Sequence, residues 1–217
     1  RALMRNTTSL ITHLVATHPL PPAANALYEM ILAGNGLFLR GHRNQLEVLF
    51  PIATHEIEGL PYLETQITPL VPRIPATLLT DMLRDARAYW NSPDGPLESL
   101  FHFSYDAEWH LAIPDQLRTA VSVQPRDLDH CPSYQSCLVE IHSHHHMSAR
   151  FSQVDDEDET GFRIYGVCGN FHRQPQITFR VGLYGHFYPI PASLIADLPP
   201  DLQDTYLLNQ HTRAYAE

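Results

Sequence analysis

The apolar positions of this chain change period several times, and each change marks an element. From Thr77 to Trp90, Leu78, Leu79, Met82, Leu83, Ala86 and then Tyr89 or Trp90 recur at helical spacing, so one side of a helix would face a core. A proline-rich approach and an Asn-Ser-Pro-Asp-Gly exit bound that segment. Ala23 to Ala33 also reads as a helix, with Gly34-Asn35-Gly36 as its C-terminal stop. Elsewhere the apolar runs are short. Leu37–Arg40 and Leu46–Phe50, around Gly41-His42-Arg43-Asn44, read as a β-hairpin. Pro96 to Phe103 reads as a turn leading into a strand, with Trp109–Ile113 as its partner and Glu108 in the turn between them. Cys137 to Ile141 is short, apolar and partly β-branched, the pattern of a buried strand. Phe162–Cys168, Ile177–Leu183 and Tyr184–Ile190 read as a meander.

The remaining stretches are polar or rich in proline. Residues 1–22 read as a surface arm, 51–76 as a long extended connection, and 114–136 as turns. The tail after Pro191 would pack a short helix on the core. Together these elements predict an α/β sandwich with a central mixed sheet flanked by helices. The core would span 77–198, after an extension over 1–76 and before a tail over 199–217.

The buried strand runs into His142-Ser143-His144, and Ser152 and Asp155 follow. On a strand, residues two apart share a face, so His142 and His144 project together as two imidazoles able to hold one cation. Ser152 to Asp155 fits a helix start, with Ser152 as N-cap and acids in the first turn. Asp155 would add a carboxylate from that helix. Two His and one carboxylate leave a fourth tetrahedral position for water, the open arrangement of a catalytic zinc site. Zinc there would bring the pKa of a bound water to about 7. A base must still take the proton, and Ser152 is a candidate donor to the developing oxyanion. Asp156 to Glu159 read as a solvated acidic first turn. His145 and His146 would line a substrate groove beside the site, and Glu140, on the ligand face of the strand, would orient an imidazole.

Composition narrows the picture. The net charge is −10, which argues against nucleic-acid backbone binding as the main task. No apolar run reaches the length of a membrane span, and no signal-peptide pattern is visible. Cys131, Cys137 and Cys168 are odd in number and lack a C-x-x-C, which fits reduced thiols in a cytoplasmic setting. All 14 basic residues are Arg. Arg-favouring codons would account for this, and a chain without lysine would also offer no ε-amine to modify.

The pattern H-x-H-x7-S-x-x-D, met by His142, His144, Ser152 and Asp155, resembles the JAMM motif of the JAB/MPN metalloproteases. The resemblance implies a JAB/MPN-like, cytidine-deaminase-like sandwich, with one zinc held by both His and the Asp, and Ser152 stabilising the tetrahedral intermediate. It implies hydrolysis of peptide or isopeptide bonds at the C-terminus of a ubiquitin-like protein. The family's catalytic Glu follows the first core helix. Glu98 matches that position, 44 residues before His142, and Glu140 and Glu108 are the rival carboxylates. The run after Glu98, Ser-Leu-Phe-His-Phe, departs from the family's Gly-rich form.

Gly36–Leu39, Leu60-Pro61-Tyr62, Phe151-Ser152 with Asp155–Asp158, and Arg180–Phe187 are similar to a bacterial family called PRTRC system protein A. That likeness implies ubiquitin-activation-like partners from the same gene cassette and a bacterial cytoplasmic setting. The competing readings are a non-catalytic MPN-type scaffold and a part in plasmid maintenance.

Overall fold

The structure, a computed structural model, describes residues 10–90, 92–93 and 95–208. The chain forms two compact units, residues 1–71 and 72–217.

The first unit is a five-stranded sheet. Its strands are β1 (Ile11–Val15), β2 (Tyr28–Ala33), β3 (Gly36–Arg43), β4 (Leu46–Ala53) and β5 (Gln66–Pro69), in that spatial order. β1 and β2 pair in parallel and the other pairs are antiparallel. Three expectations are corrected here. The helix over 23–33 is instead strand β2, the surface arm contains strand β1, and the extended connection begins in β4 and carries β5. In β2 the buried residues are Glu29, Ile31 and Ala33, a period of two that places one face on an apolar cluster with Phe38, Leu49 and Ala16. Gly34-Asn35-Gly36 is therefore a hairpin turn rather than a helix stop. Gly36 has φ +140 and lies so close to β4 that a Cβ would sit 2.1 Å from the Ala53 carbonyl oxygen, which only glycine tolerates. Buried Glu29 pairs with Arg40 of β3 at 2.5 Å.

The second unit is mixed α/β. Helix α1 (Ala76–Trp90) buries Leu79, Met82, Leu83 and Ala86 along one stripe, as the spacing predicts. Strands β6 (Leu100–Asp106) and β7 (Glu108–Ala112) form a hairpin about Ala107. The turn-rich stretch holds a small hairpin, β8 (Gln116–Arg118) with β9 (Val123–Pro125), and helix α2 (Pro132–Ser136). Then follow β10 (Val139–Ser143), helix α3 (Gln153–Asp158), β11 (Phe162–Gly169), β12 (Gln176–Leu183) and β13 (His186–Ile190).

The sheet order is β13-β12-β11-β10-β6-β7. Only β10 and β11 run parallel within that path. Every residue of β11 is buried, and Ile141, Ile164, Val167, Phe179 and Val181 pack the core of this sheet. Each fully buried side chain of that size contributes roughly 1.5–3 kcal/mol.

The tail holds the short helix expected after Pro191 and also extends the sheet. A one-turn 3-10 helix covers Ala192–Leu194, and Gln203–Asp204 forms β14, which adds to β12 in parallel. Asp204 accepts the Ala192 amide at 2.7 Å. Gln203 and Asp204, beyond 199, thus belong to this sheet. No helix among the described residues is long and apolar enough to cross a membrane.

Candidate metal centre

The motif strand β10 delivers two imidazoles to one place. His142 lies within it, and His144, one residue past its end, keeps the alternation because its amide donates to the Cys168 carbonyl of β11 at 2.7 Å. The two Nε2 atoms lie 3.0 Å apart. Asp155 comes from the first turn of α3. Ser152 is the N-cap of that helix: its Oγ accepts the Asp155 amide at 3.3 Å, and its own amide donates to Asp155 Oδ2 at 2.5 Å. This capping box fixes the carboxylate 3.1 Å from His142 Nε2 and 3.8 Å from His144 Nε2.

One ligand atom from each of the three residues lies within 4.8 Å of the others, so this group can hold a metal ion. Ligands on a zinc tetrahedron with bonds of about 2.0–2.1 Å stand roughly 3.3 Å apart, and His142 Nε2 lies near that distance from both His144 Nε2 and Asp155 Oδ1, at 3.0 and 3.1 Å. Two imidazole nitrogens facing one another must also share either a proton or a cation. The electrostatics agree with one shared positive charge. Burial opposes protonation of His142, but Asp155, Glu159 and Glu98 reverse that and raise its pKa. Burial and the His142 charge push His144 down to about 4. Burial alone would raise Asp155, yet hydrogen bonding and charge from His142 hold it well below the usual range.

Glu98 precedes β6 and is buried, with its Oε1 3.9 Å from His144 Nε2. That oxygen has no hydrogen-bond partner among the described residues. Burial first, and the Asp155 charge after it, raise the Glu98 pKa to about 7 against the opposing pull of His142. The backbone aims this side chain. The Glu98 amide donates to the Thr119 carbonyl at 2.9 Å. Ser99 and Ser143 bond reciprocally: Ser143 N donates to Ser99 O at 2.9 Å, and Ser143 Oγ accepts Ser99 N at 2.9 Å. The serine between the two ligand histidines therefore ties their strand to the residue next to Glu98.

Glu140 is committed to other partners. Its Oε2 accepts Arg163 at 3.0 Å and lies 3.5 Å from His102 Nε2, while the Arg163 guanidinium rests 4.1 Å over the Tyr134 ring. Glu108 opens β7, opposite Asp106. His145 is buried and His146 exposed, and neither belongs to the three-residue group. Ser152 is exposed beside the centre. Its Oγ accepts one bond, which leaves the hydroxyl proton available to donate. The three cysteines form no disulfide with one another. A small cavity of about 40 Å³ beside the centre is lined by Glu98, Val121, His142, Val154, Asp155 and Glu159.

Glu159 is the residue that sequence reasoning missed. It is not a solvated acid: it is buried, and its Oε1 lies 4.0 Å from His142 Nδ1. Its Oε2 accepts both Nε and Nη2 of Arg180, at 2.8 and 2.6 Å. Arg180, which also bonds Asp156, lies between the rings of Phe151 and Phe187 at 3.8 and 3.7 Å. The available signal was spacing, since Glu159 stands one helical turn beyond Asp155 and shares its side.

No protein-family model matches the chain, and no curated protein matches it.

Proposed function

We propose that this chain is a zinc-dependent hydrolase of the JAMM type, acting on a peptide or isopeptide bond at the C-terminus of a ubiquitin-like protein. The observation that carries this reading is the convergence of a buried, unpartnered Glu98 carboxylate on the His142, His144 and Asp155 donors from a separate element. The mixed sheet, with the motif strand near its middle and α1 ahead of it, fits the JAB/MPN sandwich that the motif implies.

His142, His144 and Asp155 would hold the zinc. When bound, zinc supplies a Lewis acid that brings the pKa of a water to about 7 and polarises a carbonyl. Glu98 in its ionised form accepts the proton of the attacking water and passes it to the leaving amine nitrogen, a role worth typically 10²–10⁴-fold. The Ser152 hydroxyl donates to the carbonyl oxygen as negative charge develops on it. Glu159, held by Arg180, faces the far nitrogen of His142 and orients that ring. The partners in this reading are a ubiquitin-like substrate and the activating enzymes of its own system, in a bacterial cytoplasm.

The test measures zinc by elemental analysis in wild type, Glu98→Gln and His142→Ala, with cleavage of a ubiquitin-like fusion followed in the same samples. Near-stoichiometric zinc in wild type and Glu98→Gln, with cleavage in wild type only and little zinc in His142→Ala, is the expected result. Absence of zinc from metal-replete wild type would overturn the reading.

A further inference from the structure

The first unit carries a cavity of about 760 Å³, wholly within residues 1–71 and separate from the metal centre. Its floor is one face of the sheet. Arg40 and His42 stand on β3, Leu49 and Glu47 opposite them on β4, and Gln66 and Thr68 opposite those on edge strand β5. Cross-strand partners project from the same side, so these six form a continuous surface. Thr17–Leu20 makes one wall and Tyr62–Glu64 the other.

Arg40, Glu47 and Glu64 are the charged residues of this lining, with His18 and His42 beside them. The Arg40 guanidinium is already spent, on Glu29 at 2.5 Å and on the Pro21 carbonyl at 2.8 Å. Glu47 and Glu64 are exposed, and neither has an ion-pair partner among the described residues. Leu49 is the apolar member of the floor, and Pro19, Leu20 and Leu63 are apolar members of the walls.

Tyr62 is the second observation. The residue is 62% exposed. The backbone holds it there. Pro61 O accepts the Gly34 amide at 2.9 Å, and the Asn35 side chain brackets both backbone groups of Leu63, at 2.8 and 3.0 Å. The ring lies so near Gly34 that a Cβ there would fall 2.6 Å from it, and the Tyr62 hydroxyl donates to Glu56 at 2.9 Å. The Leu60-Pro61-Tyr62 stretch thus presents an exposed, pre-positioned aromatic face beside two unpaired carboxylates. An aromatic face with nearby carboxylates attracts ammonium and guanidinium groups.

We propose that this cavity docks an extended polypeptide segment that alternates apolar side chains with Lys or Arg. Leu49 of the floor and Pro19, Leu20 and Leu63 of the walls take the apolar residues, Glu47 and Glu64 take the cations, and Tyr62 packs over one of them. Alternation suits an extended chain, whose side chains repeat every second residue, and the volume lies in the range of a built binding site. The proposal does not rest on the hydrolase reading.

The experiment is fluorescence polarisation with two labelled octapeptides, a Leu-Lys repeat and a Leu-Glu repeat, titrated with the full chain. The Leu-Lys probe should bind wild type, and the Leu-Glu probe should not. Glu47→Gln with Glu64→Gln should raise Kd about tenfold. Tyr62→Ala should raise it several-fold, while Tyr62→Phe, which keeps the ring, should not. Asp127→Asn with Asp129→Asn, an exposed pair in the second unit, should leave Kd unchanged. Equal weakening by that control pair would assign the attraction to the overall charge of −10 and overturn the proposal. So would an unaffected Glu47/Glu64 variant, equal binding of both probes, or no binding to wild type. A variant that loses its circular dichroism spectrum is replaced by its single substitutions. Zinc content and hydrolysis enter none of these arms, so the two readings fail separately.

Discussion

Glu98 sits where a carboxylate is costly and its proton is easily held. In the metal-free chain its pKa is about 7. A dication among the three donors adds positive charge nearby and favours the carboxylate. Carbon-13 carboxyl titration of Glu98 should therefore show a midpoint near 7 without metal and a lower one with zinc. A metal-free midpoint of about 4 would show that burial does not act on this group as described. The sign for activity follows. In the proposed reaction the base works only when ionised, so kcat/KM should fall as pH drops through the loaded protein's Glu98 pKa, with an acid limb below 7.

Ser143→Ala leaves the buried Ser99 amide without its side-chain acceptor, which should cost about 1–3 kcal/mol in urea unfolding. Ser143→Thr keeps the hydroxyl and should cost less, and neither should lose zinc. Cys137 and Cys168 are buried, and burial pushes the Cys137 thiol up to about 12 and that of Cys168 further. Since the thiolate is the reactive form, native-state alkylation followed by peptide mapping should mark Cys131 alone. At this scale the donors were legible in the sequence because a period of two puts His142 and His144 on one side whatever surrounds them. Glu159 was not, because what buries it is Arg180, from a strand the sequence does not place next to it.

Elements were legible where one pattern admits one partner. The stripe of α1 could only face a core, and the meander β11-β12-β13 reads as three β-rich runs separated by turn residues. β2 was misread because Ala, Leu, Met and Glu favour helices, while pairing on both sides, with β1 and β3, favours a strand. β14 is too short to leave a pattern. The pairing of α3 with β12 through Glu159 and Arg180 carries its own test. Arg180→Met strands a buried carboxylate and should cost about 3–5 kcal/mol in chemical denaturation. Adding Glu159→Gln should recover part of the loss, because the two changes couple. A double variant as unstable as the sum of its singles would separate the two groups.

For the whole molecule, acid is the informative variable. His102 is buried between Ser133 and Glu140, and burial with the Arg163 charge lowers its pKa to about 4, from 6.5. Its folded pKa lies below its unfolded one, so its contribution is intact above pH 6.5 and is lost as pH falls toward 4. The linked loss is about 3 kcal/mol at most. The urea midpoint of global unfolding should drop between pH 7 and 4.5, and less so in His102→Asn, once the direct cost of that substitution is measured at pH 7.

The reciprocal bonds between Ser99 and Ser143 also bear on how such chains diverge. Glu98 and the two histidines are spaced across a sheet and not along the backbone, so the intervening sequence can lengthen, shorten or change its loops without moving either. Relatives of this chain should therefore be sought by the short His-to-Asp signature together with a glutamate entering the neighbouring antiparallel strand, at whatever distance it falls.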